Sequence, residues 1–538
     1  MTILLINAKI YSLDPDKPTS SALAIDNGRI LGLGDDYSIL TEFEGKGEIV
    51  NLAGRSVIPG LIDAHIHLEQ LALLLDKLNC ETSSLSDCLQ RVADRASSVS
   101  PGEWILGHGW NQNDWKDHQE FPTADDLNTV APDNPVYLTA KSLHVGWANT
   151  AALSAVGITD NYPDPTGGRL GRKLDGSPDG ILFEEAMALV SPAIPEPTHD
   201  RPYQAMRTVQ ENLWSMGITS VHDFDRQRCF QILQSLHANH ELKLRVIKSI
   251  PLEDLDYAVA LGLNTGFGDN FLRIGSIKVF SDGALGPRTA SMLSPYQGEP
   301  QNHGMLLLDS EELFKHGCKA VENNLSLAVH AIGDRANHET LNAFAQLRLL
   351  ENQLQSKSPS RSQFLRHRIE HVQIIHPHDA LRMGQLGVIA SMQPVHATSD
   401  FPAADRYWGD RSANAYAWNT LLQSRTPLAF GSDAPVESPN PFWGIHAAVT
   451  RRRQDGSPGP NGWYPEQRLT LPDALHAYTT GAAFAARMEK YLGTLTPGYL
   501  ADLLVLDEDP FITDIDNLFT LKPIGTMVNG EWVLRNFD

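Results

Sequence analysis

The 538-residue chain contains only four cysteines, Cys80, Cys88, Cys229 and Cys318, and no two of them stand in a CxxC spacing. That scarcity argues against a disulfide framework or a cysteine-rich structural zinc site and fits a reducing compartment. Positive charge is also in short supply. Lys and Arg number 43 against 65 Asp and Glu, a formal charge of −22 that would repel nucleic acid and anionic membrane alike. No apolar run reaches the ~18 residues that a membrane-spanning helix needs. The first residues, MTILLINAKIYSLDPDKP, lack a basic region ahead of their brief apolar run and lack a small-residue cleavage site, so they read as a strand and not as a signal peptide. The expectation is a soluble cytoplasmic protein whose partner is a small-molecule substrate, with no nucleic acid and no membrane; its size leaves room for a homo-oligomer.

What is present is a globular composition, 42% apolar and 8% aromatic, in a chain too long for one ordinary core. Both ends carry short strand-like runs with turn signals between them: ILLINAKIYSL, SALAIDNGRILGLG and GEIVNLAGRSV up to residue 57, then ADLLVLDEDP and GTMVNGEWVLR after residue 500. Neither set has enough apolar surface to stand alone, which predicts one small β-sandwich domain built from residues 1–56 and 487–538.

Between the ends, residues 57–486, the pattern changes to apolar strand, amphipathic helix, apolar strand. Eight candidate strands occur at 56–67, 218–225, 244–250, 274–283, 325–334, 366–373, 388–394 and 427–435. The helical segment PYQAMRTVQENLWSMG at 202–217 aligns Met206, Val209, Leu213 and Met216 on one stripe. Eight such units predict an α/β fold, a (β/α)8 TIM-like barrel whose catalytic groups sit at the strand C-termini. Residues 68–210 are far too many for a crossover helix and are expected to form a large insertion after the first strand, of the kind that builds lids and pockets.

The ends of those strands carry polar groups that an apolar interior does not normally keep. The stretch GLIDAHIHLE, residues 60–69, places His65 and His67 two apart, on one side of a strand and about 7 Å from each other, where two imidazoles can chelate one metal. Lys278 lies in the fourth strand, His330 ends the fifth, His371 the sixth and Asp433 the eighth. Burying each without a partner costs ~1–3 kcal/mol or more, so their convergence on one end of a barrel calls for a common ligand.

This set, DAHIH with the strand-four lysine, VHAIGD, IEH and GSDAP, resembles the amidohydrolase superfamily of metal-dependent hydrolases, and within it the amidohydrolase-3 branch that includes N-substituted formamide deformylase-like proteins. IKVFSDGALGPRTA, HVGWANTAAL and GILFEEA resemble recurring segments of that branch. The resemblance implies that His65, His67 and Asp433 bind a more buried metal, that His330 and His371 bind a second, and that Lys278 is carboxylated and bridges the two. Glu184 is a rival bridging carboxylate. Zinc is the first choice for such a site, one or two ions per chain.

The implied activity is hydrolysis of a non-peptide C–N bond: an amide, an N-substituted formamide, an N-acyl amine or a cyclic amide. A bound metal acidifies its water so that hydroxide attacks the carbonyl, while Asp433 takes the proton and passes it to the departing nitrogen. Glu370 and Asp63 are candidates for orienting the ligand imidazoles. Trp110, His144, Asp282 and Arg288 are candidates for contacting substrate, each with a packing or turn-forming alternative. Competing functions are a metal-dependent isomerase, decarboxylase or esterase on the same fold, and a non-catalytic binding protein.

Overall fold

The computed structural model describes residues 2–74, 77–195, 200–357 and 363–537. They divide into two compact units, one of residues 69–205 and the other of everything before and after.

The larger unit contains a (β/α)8 barrel. Its eight parallel strands are β1 (Leu61–Ile66), β2 (Ile218–Asp223), β3 (Arg245–Pro251), β4 (Leu272–Phe280), β5 (Leu327–Ala331), β6 (Arg368–His371), β7 (Ile389–Met392) and β8 (Leu428–Phe430), paired in that order. A parallel bridge between Ile66 and Ala434 joins the last strand to the first. Most strands are buried along their whole length, which is why they read as near-continuous apolar runs and not as alternating ones. The helices between them show their stop and start signals. Ser310–Glu322 begins at Asp309, whose carboxylate accepts from the backbone N–H of Glu311 and Glu312, and it buries Leu313, Gly317, Ala320 and Val321 on one stripe. Of the stripe expected at 202–217, Met206, Val209 and Leu213 are buried in the helix Asp200–Ser215, while Met216 lies past its end and is half-buried.

The run expected as one strand at 56–67 is two. Ser56–Pro59 belongs to a six-stranded sheet outside the barrel, and the chain enters β1 only after Gly60. That glycine is a steric requirement: a Cβ there would stand 2.4 Å from Thr219 Oγ1 and 2.6 Å from its Cγ2. Gly60→Ala is expected to destabilise the fold by about 1–3 kcal/mol, and Thr219→Ala in the same chain to restore part of the loss, as thermal unfolding would report.

Both chain ends build the β sandwich. Thr2–Ile6, Ala22–Asp26, Arg29–Gly34 and Gly47–Asn51 form a four-stranded sheet. The six-stranded sheet interleaves Lys9–Tyr11, Thr19–Ser20 and Ser56–Pro59 with Leu503–Leu506, Pro523–Val528 and Glu531–Arg535. Leu5, Ile10, Leu23 and Val57 share one core with Leu503, Val505 and Met527. Arg245 of β3 fastens the sandwich to the barrel through two hydrogen bonds to Asp502, 2.6 and 2.8 Å, both side chains 1% exposed.

The unit of residues 69–205 has its own six-stranded mixed sheet, and its core holds Trp110, Trp115 and Trp147.

Candidate metal centre

The end of β1 and the turn after β8 are tied together by their backbones. Asp433 N–H donates to the His65 carbonyl at 2.7 Å, and His67 N–H to the Ala434 carbonyl at 2.8 Å. Asp63 reinforces this seam: its carboxylate accepts from the N–H groups of His65 and Ser432, both at 3.0 Å, and from the Ser432 hydroxyl at 2.5 Å. Gly431 is the only kind of residue that fits beside it, since a Cβ would meet Asp63 Oδ1 and His65 N at 2.5 Å. The chain leaves two strands through left-handed conformations, φ +60° at Asp433 and +77° at His371, which turn these side chains off the ladder.

The result is a ring of imidazoles around one carboxylate. His65 Nε2 and His67 Nε2 each lie 3.4 Å from Asp433 Oδ1. His396 Nε2 is 3.8 Å and His371 Nδ1 4.0 Å from Asp433 Oδ2. The rings of His65 and His67 are 5.6 Å apart, and those of His65 and His371 4.9 Å.

The His65 and His67 rings are each held from the other side. His65 Nδ1 is 2.6 Å from Glu370 Oε2, and His67 Nδ1 is 3.0 Å from Asp225 Oδ1. Glu370, then, and not Asp63, holds the His65 ring; Asp63 is committed to the β1–β8 seam. Glu370 is itself gripped by Arg368, which also donates to His222 Nδ1 at 2.7 Å, the Ala64 carbonyl at 2.6 Å and the Ser391 hydroxyl at 2.5 Å. Burial works against the Glu370 charge, but the Arg368 guanidinium holds its carboxyl well below the usual range.

Electrostatics follow from this packing. Burial, aided by Lys278, drives the His65 pKa down to about 3, so the ring is neutral. Burial acts the same way on His67, but its hydrogen bonds to Asp225 and Asp433 outweigh it and hold a proton up to about 10. Burial disfavours the Asp433 charge, yet His65, His67 and His371 keep its carboxyl well below the usual value. Lys278 is 5% exposed, with its ammonium 4.7 Å from the Phe224 ring and 4.9 Å from Phe280; burial pulls its pKa to about 8 against the pull of Glu370 and Asp433.

A divalent cation fits these residues, and on His67 it would take the place of the proton that Asp433 otherwise shares. His65 Nε2 and His396 Nε2 are buried with no hydrogen-bond partner among the described residues, although both face a carboxylate. Ligand-capable atoms of His65, His67 and Asp433 lie within 4.8 Å of one another, as do those of His371, His396 and Asp433. Imidazole nitrogen with carboxylate oxygen is a donor set for zinc, iron, manganese or cobalt.

Other candidate residues are placed differently. His330 has its ring 4.6 Å from that of His371, but its Nε2 lies 3.0 Å from the Gly283 carbonyl and 3.7 Å from Asp282, and it joins neither cluster. Asp282, a candidate for contacting substrate with a turn-forming alternative, is a tether: its carboxylate accepts from the N–H groups of Ser291, Ile332 and Gly333 at 2.8–3.0 Å and is 1% exposed. Trp110 is 0% exposed in the core of its unit, donating to the Leu138 carbonyl at 3.0 Å and packed edge-on against Trp147. Arg288 pairs with Glu299 and lies over the Tyr407 ring. His144 Nδ1 and Glu184 Oε2 are 2.7 Å apart within the unit of residues 69–205.

His396 was missed by the sequence reading, although QPVHATSD places it just past the seventh apolar run; only strand ends were searched, and it stands in the first turn of the helix Pro394–Trp408.

A parallel barrel that gathers imidazoles and a carboxylate at the C-terminal ends of its strands defines a metal-dependent hydrolase type of protein. The chain belongs to the amidohydrolase family, whose sequence profile matches residues 48–534. It is 33% identical to Protein LONG AFTER FAR-RED 3 of Arabidopsis thaliana over 98% of this chain and 91% of that one. Identity to the N-substituted formamide deformylase of Arthrobacter pascens is 26%, over 99% and 98% of the two chains. A metal-dependent hydrolase of Pyrococcus horikoshii OT3 superposes with a TM-score of 0.78 and 29% identity, covering 96% of this chain and 99% of the other. Among the described residues no helix is long and apolar enough to cross a membrane.

Proposed function

We propose that the protein hydrolyses a non-peptide C–N bond in a small molecule, an amide, N-substituted formamide, N-acyl amine or cyclic amide, using divalent metal with zinc as the first choice. The observation that carries this reading is the trio of imidazole Nε2 atoms, from His65, His67 and His396, turned toward the Asp433 carboxylate with their Nδ1 sides held by neighbouring side chains. The similarity to N-substituted formamide deformylase supports the choice of bond.

When bound, the metal polarises a carbonyl and acidifies water. The chain's own residues do the rest. Glu370 and Asp225 keep the His65 and His67 rings aimed at the centre, which fixes where a carbonyl is held. Asp433, charged and facing the same space, accepts a proton from the attacking water and returns it to the departing nitrogen. Lys278 adds a carboxylate: an amine whose pKa has fallen to about 8 is partly neutral, and its lone pair forms an N–C bond to carbon dioxide with release of one proton.

The reading is tested by assaying metal-loaded protein on N-formyl amines, N-acyl amines and cyclic amides beside esters and dipeptides. Amide turnover that disappears on chelation is expected; turnover of esters or dipeptides alone, or turnover indifferent to chelation, overturns it. Lys278→Ala is expected to lose activity and to regain part of it with added short-chain carboxylic acids. No recovery at any acid concentration removes the carboxylated lysine from the mechanism.

A further inference from the structure

A second group of buried polar side chains lies around the first half of β4. There the barrel encloses a narrow cavity with room for about one water-sized sphere. His222 of β2, Ile247 and Ser249 of β3, Arg273 and Gly275 of β4 and Arg368 of β6 supply most of its wall. Gly275 keeps it open, since a Cβ there would stand 3.0 Å from Ile247 Cγ2 and 3.1 Å from Ser249 Oγ, two of the cavity's own walls. No Asp or Glu lines it among the described residues.

Two nitrogens of these lining side chains, His222 Nε2 and Arg273 Nε, are buried without a partner among the described residues. The tautomer of His222 follows from its neighbour. Arg368 Nη1, which can only donate, lies 2.7 Å from His222 Nδ1, so Nδ1 accepts and the ring carries its proton on Nε2. Both orphaned atoms are therefore N–H donors, and the His222 residue is 2% exposed. Arg273 also brings a charge with no counter-ion. Its terminal nitrogens donate to the Tyr491 hydroxyl and, at 2.9 Å, to the Gly266 carbonyl, and it pairs with no carboxylate among the described residues. Arg368 differs, because Glu370 meets its charge. The hydroxyls nearby are already engaged: Thr265 donates to the Gly275 carbonyl at 2.8 Å, and Ser276 Oγ lies 2.8 Å from Ser326 Oγ. A water would satisfy the two donors and leave the cation unanswered; an anion does both.

We propose that this cavity binds a monatomic anion of chloride size, held by Arg273 Nε–H and His222 Nε2–H. The space excludes phosphate, sulfate and carboxylates, which are all larger than the single sphere it admits. The site shares no residue with the ring of imidazoles around Asp433, and the inference stands whether or not the protein is a hydrolase.

Crystals of the full chain grown in sodium bromide test this directly: an anomalous peak is expected in the cavity, in contact with Arg273 and His222. In solution, thermal unfolding is followed in chloride-free buffer as sodium chloride is added, with sodium gluconate at equal ionic strength as the reference. Chloride alone is expected to raise Tm, by about 1 °C for each tenfold rise past its Kd. Arg273→Gln removes the charge and Gly275→Ala narrows the space, and both are expected to lose that rise. The bromide map of the wild type decides the question even if neither variant folds. An ordered water with no anomalous peak overturns the proposal. So does a Tm that answers chloride and gluconate alike, or a chloride-specific rise kept in folded Arg273→Gln.

Discussion

Asp433→Asn is expected to reduce amide hydrolysis by about 10²–10⁴-fold at saturating metal, the range a positioned general base contributes. The substitution keeps the size and shape of the side chain but removes the charge that faces His65, His67, His371 and His396. Folding should survive, because the backbone bond from Asp433 N–H to the His65 carbonyl is unchanged and the seam relies on Asp63 and Ser432. His65→Asn is expected to act in parallel, losing metal as well as turnover, since its Nε2 is aimed at the centre and its Nδ1 is fixed by Glu370. Measuring turnover, bound metal and thermal unfolding on the same preparations separates loss of chemistry from loss of fold. Undiminished turnover in either variant would contradict the site.

The largest effect on stability is expected at Arg368. Its guanidinium is 3% exposed and serves Glu370, His222, Ala64 and Ser391 inside the barrel. Arg368→Met leaves the Glu370 carboxylate buried beside His65 without its cation, and breaking a buried pair in this way costs about 3–5 kcal/mol. Metal affinity should fall by about 10–100-fold as well, because Glu370 is what aims His65. Removing both charges, with Arg368→Met and Glu370→Met together, should recover much of the stability but none of the affinity. Urea unfolding of metal-free protein and metal titration measure the two quantities separately. A single variant within 1 kcal/mol of wild type, a bound set well below the ~3 kcal/mol such pairs cost, would show that Arg368 is not the support described here.

The barrel was readable because a parallel sheet covered on both faces needs apolar runs, and those runs are visible whatever their partners. The break at Gly60 was not, since nothing local says that 56–59 pairs with Leu503–Leu506, more than 440 residues away, while 61–66 pairs with β2. Strand-end histidines were found because an imidazole in an apolar run is conspicuous. His396 escaped because it sits in a helix whose first turn happens to face the centre. The partners of Trp110 and Asp282 were hidden for a related reason: indoles and carboxylates serve substrates and cores equally well, and the acceptor at Leu138 and the donors at Ser291, Ile332 and Gly333 are supplied by other segments.

By itself, then, the order of apolar runs determined the barrel, the sandwich at its ends and the strand positions of His65, His67, Lys278, His330, His371 and Asp433. Only the folded chain decided which nitrogens of His65 and His67 turn inward, that Glu370 and Asp225 hold those two rings, and that His396 presents a nitrogen to Asp433. Periodicity is a property of neighbouring residues and survives in the sequence; a side chain's partner across a closed barrel depends on register and on backbone turns such as those at His371 and Asp433, which come into being only when distant strands meet.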